Sequence, residues 1–232
     1  VHWAVASDPG MKQVRQSGRF VTDRRRDFTI KVDASGLDPG LTYYYQFEAR
    51  GVKSLVGRTR TLPVGRVDRL RLAFASCSNY PWGYFNAYAR IAQRDDLDFV
   101  LHLGDYIYEY KLGEYADAEL KGKRDVVPAH EILTLDDYRL RYALYRSDPD
   151  LQEVHRQHPF ITVWDDHETA NNAWRGGAEN HNPDQGEGEW SQRRRGFVQA
   201  YNEYMPIRAS SPARSGPQKV SMGRDPSEMI CE

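Results

Sequence analysis

The sequence predicts an α/β domain preceded by a small all-β domain. Three hydrophobic runs of the kind found in buried strands lie at residues 71–78, 99–103 and 160–164. They alternate with segments of helical periodicity, which is the pattern of a parallel sheet with right-handed crossover helices. The first 63 residues instead show short alternating stretches separated by turn residues, which favours antiparallel strands. The 232 residues are 40% hydrophobic, which is enough for one or two domains with their own cores.

Short strands are predicted throughout the first 63 residues. Apolar and polar residues alternate in these stretches, and a dense turn signal lies at Gly36–Gly40. The stretches are VHWAVA (1–6), FTIKVDAS (28–35), LTYYYQFEAR (41–50) and SLVGRTRTLP (54–63). The pattern GLxPxxxYxYxF that begins at Gly36 resembles the corner of a fibronectin type III domain. We therefore expect residues 1–63 to form a β-sandwich that lacks its first strands, followed by a linker at 64–70.

Helices are predicted between and after the three hydrophobic runs. Thr134 and Asp137 have the spacing of a capping box at a helix start, and a last helix is predicted at about 189–204. The inward faces are predicted to be Tyr84, Phe85, Tyr88, Ile91 and Ala92; Leu135, Tyr138, Tyr142 and Tyr145; and Trp190, Phe197, Tyr201 and Tyr204. Residues 71–207 would form this domain. Residues 208–232 are rich in Ser, Pro, Arg and Gly, which indicates a disordered or aberrant tail.

Composition excludes some partners and leaves the compartment open. The net charge is −1 and the isoelectric point is about 6.7, so no basic surplus indicates a nucleic-acid partner. No apolar run of about 18 residues predicts a membrane span, and no signal peptide is visible. The chain opens at Val1 without Met, so we expect the natural N-terminus to lie upstream or to have been removed. Two cysteines, Cys77 and Cys231, do not indicate a disulfide framework.

Polar side chains follow each of the three hydrophobic runs. Asp105 and Tyr108 follow the second run, and their hard oxygen atoms would suit a ferric ion. Cys77 follows the first run and would bind metal as a thiolate. Taken alone, Asp105 could simply cap a turn, and Cys77 could be a small buried residue. Because ligands bind at the carboxyl ends of strands in open α/β sheets, the shared placement favours a site.

Four ionisable residues in a row follow the third run. Asp165, Asp166, His167 and Glu168 are costly to hold at a strand end unless they are paired or bind metal, although a solvated loop is the simpler alternative. His167 would suit a group that protonates a leaving oxygen. Asn171 and Asn172 come next and are interpreted as surface loop residues rather than ligands.

These motifs together resemble the PhoD-type alkaline phosphatases. The resemblance spans roughly residues 1–207 and rests on GLDPGLTYYYQF and VGRTRTLP, then FASCSNYPWGYFNAYARIAQRDDLDFVLHLGDYIYEY, then VWDDHETANN, in that order. It implies a layered metallophosphoesterase sheet after a β-sandwich, related in site design to the purple acid phosphatases. It also implies a secreted, periplasmic or cell-wall location. Some members are described as phospholipase D or phosphodiesterases.

The resemblance also implies a role for each matching residue. Cys77 and Tyr108 match ligands of an iron ion, and Asp105 matches the carboxylate that bridges Fe³⁺ and a second ion, commonly Ca²⁺. Asp166 matches a ligand of that second ion, and its neighbour Asp165 is a further candidate ligand. His167 matches the histidine placed near the scissile phosphate. Two such cations would activate water for attack on phosphorus and neutralise the charge of the transition state.

The sequence offers one candidate residue for binding phosphate and leaves two alternative functions open. Arg175 is a candidate contact for substrate phosphate; for Arg193–Arg195 a solvated helix face is preferred. The family has further ligands in a late Gly-Asp-x-His segment, which does not occur here, so we expect a truncated chain with half of the site. The alternatives are an inactive fragment acting as a β-sandwich binding module, or a phospholipase D-like phosphodiesterase. The expected substrate is a small phosphate ester or a phospholipid, and the oligomeric state is left open.

Overall fold

The computed structural model describes residues 1–208 and confirms the predicted α/β fold. The expected tail, apart from Arg208, lies outside the described residues. Five strands of the N-terminal part form one antiparallel sheet, in which β1 and β5 both pair with β3. They are β1 (His2–Ala6), β2 (Val14–Arg19), β3 (Thr42–Ala49), β4 (Val52–Lys53) and β5 (Gly57–Arg60). The two facing layers of a sandwich stay a prediction.

Three parallel strands form the second sheet, in the order β6-β7-β8. They are β6 (Leu72–Ala75), β7 (Phe99–His102) and β8 (Phe160–Thr162). The helix α1 (Asn86–Ala92) connects β6 to β7, as the strand–helix–strand pattern predicts. All three carboxyl ends therefore lie at one edge of the sheet.

Helices cover one face of the parallel sheet. They are α1, α2 (Leu135–Tyr145), α3 (Pro149–Gln157) and α4 (Trp190–Tyr204), with α1 packed against α3 and α2 against α4. The predicted capping box is present, because Thr134 accepts from the Asp137 amide and Asp137 accepts from the Thr134 amide. The inward faces of α2 and α4 are rich in tyrosine, and the hydroxyl groups mostly reach polar partners. The core includes Phe85, Tyr88, Val100, Ile107, Tyr138, Tyr142, Tyr145, Phe197 and Tyr201.

The strand predicted at FTIKVDAS (28–35) is wrong. No strand forms there, and Phe28 has a left-handed backbone with φ of 55° and an exposed side chain. The segment instead lies against the helices: the Tyr204 hydroxyl donates to Asp27, and Lys31 Nζ donates to the Ile207 carbonyl at 3.1 Å. The segment also contacts β2, since Gln16 Nε2 donates to the Ser35 carbonyl, but its backbone pairs with no strand.

The three hydrophobic strands are buried on one face only. The side chains of Val100 and His102 in β7 face the helices and have no exposed surface. On the other face Phe74 is 71% exposed and Ile161 is 49% exposed. Within residues 1–208, no helix or strand covers this second face. The prediction that these strands are buried is therefore correct for one face only. Tyr84, which was predicted to face inward before α1, is also exposed.

Candidate metal centre

The loop after β7 and the loop after β8 pack closely at the carboxyl edge of the parallel sheet, because Gly104 has no side chain to separate them. Gly104 follows β7 with φ of 104°, and a Cβ atom there would lie 2.4 Å from the Asp165 amide nitrogen. The loop after β6 joins them, since the Cys77 amide donates to the Gly104 carbonyl at 3.2 Å and the Ser78 amide donates to the Asp105 backbone carbonyl at 2.9 Å. Cys77 and Asp105 both adopt left-handed backbones, with φ of 57° and 54°. Such conformations are strained for non-glycine residues and concentrate at functional sites.

Three of the predicted site residues converge at this edge. One ligand atom from each of Asp105, Asp166 and His167 lies within 4.8 Å of the others. Asp105 is 6% exposed, and its Oδ1 atom has no hydrogen-bond partner among the described residues. Burial raises the pKa of Asp105, while the nearby His167 acts in the opposite direction. A buried carboxylate oxygen without a partner is the atom that a cation would satisfy.

Cys77 and Tyr108 lie beside the Asp105 carboxyl group. The Tyr108 hydroxyl donates to Asp105 Oδ2 at 3.2 Å. Cys77 is close enough to Asp105 and Tyr108 to influence the pKa of both, and it is exposed at the site surface. Burial and then the Asp105 charge raise the pKa of Tyr108, so its phenol stays protonated until a cation offsets that charge.

Asp165 and Arg175 lie apart from this cluster. Asp165 is exposed and its Oδ1 accepts from the Asp166 amide at 2.9 Å, so it shapes the turn. Arg175 is also exposed, and its carbonyl accepts from the Trp190 indole and from Arg194. Among residues 1–208 the Arg175 guanidinium makes no hydrogen bond or ion pair. The roles predicted for these two residues stay predictions.

His167 is held by a carboxylate and enclosed by aromatic rings. Its Nδ1 atom lies 2.8 Å from Glu109 Oε2. The ring centroid of Tyr108 is 4.3 Å away and that of Tyr110 is 5.5 Å away. Burial disfavours the charged imidazolium, but the hydrogen bond to Glu109 and its charge outweigh burial and raise the pKa of His167.

Two buried glutamates join the loop after β7 to the loop after β8, and no individual role was predicted for either. Glu168, from the loop after β8, accepts from the amides of Asp105, Tyr106 and Asp165, at 3.0 Å for Asp105 and 2.7 Å for Asp165. Glu109, from the loop after β7, accepts from His167 and from the Asn171 amide. Burial raises the pKa of Glu168 to about 8. The position of Glu168 inside the ionisable run was the one available signal.

Within the arginine row at 193–195, Arg193 departs from the predicted solvated helix face, whereas Arg195 is exposed as predicted. Arg193 is 1% exposed and donates to Glu131 at 2.7 Å and to the Tyr138 hydroxyl at 3.2 Å. It therefore stabilises the packing of α4 on α2 rather than facing solvent. Asn172 keeps its predicted place on an exposed loop, where its amide donates to Asp166 Oδ2.

Comparison with known proteins identifies the family. The family described as "PhoD-like phosphatase, N-terminal domain" matches residues 1–63, and the family described as "PhoD-like phosphatase" matches residues 72–224. The chain belongs to the PhoD-like phosphatase family. It is 40% identical over 218 residues to alkaline phosphatase D of Bacillus subtilis (strain 168), which covers 91% of this chain and 36% of that protein.

A solved structure of this family agrees with the fold. The structure titled "Structure of PhoD" superposes with a TM-score of 0.83 at 38% sequence identity. The match covers 90% of this chain and 40% of the solved chain. The PhoD-like chain described here therefore spans a little over a third of the length of these relatives. Within its described residues, no helix is both long and apolar enough to cross a membrane.

Proposed function

We propose that this chain supplies metal-binding and proton-transfer groups for the hydrolysis of phosphate mono- or diesters. The observation that carries the proposal is the convergence of Asp105, Asp166 and His167 at the carboxyl edge of the sheet. Membership in a phosphatase family and the printed name of the relative, alkaline phosphatase D, support this reaction class. The substrate would be a small phosphate ester or a phospholipid, and the site of action would be outside the cytoplasm.

The residues present fit an iron and calcium pair. The thiol of Cys77, the phenol of Tyr108 and the carboxylate of Asp105 form a donor set that suits Fe³⁺. Asp105 and Asp166 offer the carboxylate oxygens that Ca²⁺ prefers. The Oδ1 atom of Asp105, which has no hydrogen-bond partner among residues 1–208, is the observation that favours Asp105 as a ligand. When bound, the two ions would activate water and neutralise charge on the phosphate.

The protein side chains would bind and protonate the substrate. Glu109 orients His167 and raises its pKa, so the imidazolium form is available to protonate a leaving oxygen. The amide of Asn172 fixes Asp166 through its Oδ2 atom. Arg175, on the exposed loop near residue 172, is proposed to contact a phosphate oxygen from solvent.

Hydrolysis of p-nitrophenyl phosphate and bis(p-nitrophenyl) phosphate tests this proposal. We expect the purified chain loaded with Fe³⁺ and Ca²⁺ to release p-nitrophenolate, and chelation with EDTA to abolish release. Asp105→Asn should remove the activity, whereas Asp95→Asn at an exposed position should not. Hydrolysis that survives Asp105→Asn would refute the assignment. Absence of both stoichiometric iron and hydrolysis would support the alternative of an inactive binding module.

A further inference from the structure

Glu109 is a buried carboxylate that contacts His167 but does not itself touch the substrate in the proposed chemistry. Its side chain has no exposed surface, although it follows directly after the metal-site tyrosine Tyr108. A carboxylate in such a place is costly unless hydrogen-bond donors satisfy it. Its partners therefore indicate why the charge is placed there.

Three donors surround Glu109, and all come from the other loop of the site or from the segment after it. Oε2 lies 2.8 Å from His167 Nδ1. Oε1 accepts from the Asn171 amide and from Asn180 Nδ2, each at 2.7 Å. A carboxylate accepts and cannot donate when ionised, so His167 must carry its proton on Nδ1. The Nε2 atom is then the ring nitrogen left free for other partners.

We propose that Glu109 is a positioning residue that fixes His167 in its Nδ1–H form, with Nε2 available to the substrate; this proposal rests on the proposed function. Nε2 accepts in the neutral ring and donates once the ring is protonated, as proton delivery to a leaving oxygen requires. The two nitrogen donors on Oε1 keep the carboxylate from rotating. Glu109 thus couples the ring to the loop at 171–180.

The Glu109→Gln variant makes a discriminating test because the two carboxylate oxygens have different partners. Two N–H donors face Oε1, so the glutamine carbonyl should take that place. The glutamine NH₂ group would then face His167 Nδ1 and could only donate to it. We expect the His167 proton to move to Nε2, which a merely space-filling role for Glu109 would not cause.

Long-range ¹H–¹⁵N correlation spectra of the full chain measure this directly. At a pH where the ring is neutral, the wild type should show the Nδ1–H pattern for His167, assigned by its loss in His167→Gln. Glu109→Gln should show the Nε2–H pattern. Glu179→Gln is the matched control, because Glu179 accepts from the side chains of Asn171 and Asn172 on the same loop. It should leave the Nδ1–H pattern unchanged.

Two outcomes would overturn the proposal. An Nε2–H pattern in the wild type would do so without any variant, even if Glu109→Gln failed to fold. A folded Glu109→Gln protein that keeps the Nδ1–H pattern would do so as well. In the metal-loaded chain, Glu109→Gln should lower kcat about a hundredfold with KM unchanged. If the His167 proton does not move to Nε2 in Glu109→Gln, the role of Glu109 is refuted. Lack of hydrolysis in the wild type refutes only the proposed function.

Discussion

On the helix-covered face of the parallel sheet, Val100 and His102 have no exposed surface, whereas the opposite face leaves Phe74 71% and Ile161 49% exposed. Parallel sheets are almost always covered on both faces, which is what their continuous apolar strands predict. The covered face is also where polar groups are buried and paired. The difference teaches that the stability of the described residues depends mainly on one face, while the other face leaves apolar side chains in contact with solvent.

The largest expected effect is on the covered face, at Arg141. Its guanidinium is fully buried and donates to the carbonyls of Tyr108, Val127 and Pro128. Arg141→Met leaves two buried carbonyls and one partly buried carbonyl without this donor, so we expect a loss of about 4 kcal/mol of unfolding free energy. Urea denaturation measures it, with the exposed Arg94→Met as the control. A loss below about 1 kcal/mol would contradict the importance of this buried polar network.

The next effect is a pH dependence that comes from His102 on the same face. Burial lowers the pKa of His102 to about 4 from an unfolded value of 6.5. The unfolded chain therefore binds more protons between these values, and the unfolding free energy falls as pH falls from about 6.5 to about 4. His155, whose pKa burial also lowers, acts in the same direction.

The variant His102→Gln isolates this contribution. The wild-type protein loses unfolding free energy between pH 7 and pH 4, and this variant should reduce that loss by about 3 kcal/mol. His2→Gln, at an exposed residue of β1, should keep the wild-type slope. An unchanged slope in His102→Gln would show that His102 does not titrate as a buried group.

Truncation of one aliphatic residue on each face compares them directly. Val100→Ala on the covered face should cost about 2 kcal/mol, because it removes buried methyl groups and leaves a cavity. Leu72→Ala on the open face, where Leu72 is 42% exposed, should cost less than about 0.5 kcal/mol. Thermal or urea unfolding of the two variants checks this order. Equal losses would mean that the open face is covered in solution.

The smallest effect on stability, and the clearest on association, is expected for the open face. The contiguous apolar side chains there should bind the dye 8-anilinonaphthalene sulfonate. Phe74→Ser combined with Ile161→Ser should remove most of the fluorescence. Val21→Ser combined with Val52→Ser changes two well-exposed residues away from that face and should leave the signal unchanged. Equal signals from the two double variants would contradict a continuous patch.

Much of the site was predictable because parallel strands place their carboxyl ends at one edge. That rule alone brought Cys77, Asp105 and Asp166 to the same region, and the structure places them there. The capping box at Thr134 and the last helix were likewise predictable, since both depend on neighbouring residues in the sequence. Features that depend on residues close together in the sequence can be predicted from the sequence alone.

Interactions between distant residues were not predictable. Glu109 contacts His167 across 58 positions, and Arg193 contacts Glu131 across 62 positions, so no local spacing reveals either pair. The strand β2 was missed because its VRQSGR sequence is polar, as suits an exposed edge strand. The segment at 28–35 was misassigned because its alternating pattern is real, but its backbone pairs with no strand.

Titration of the chain with Fe³⁺, followed by visible absorption, tests the central claim most directly. A phenolate bound to Fe³⁺ gives a charge-transfer band, and the site places Tyr108 beside Asp105 and Cys77. We predict a band that saturates at one iron per chain, is lost in Tyr108→Phe and Asp105→Asn, and persists in Tyr115→Phe, which changes an exposed tyrosine beside His167. A band that persists in Tyr108→Phe and disappears in Tyr115→Phe, or no band at all, would contradict this metal centre.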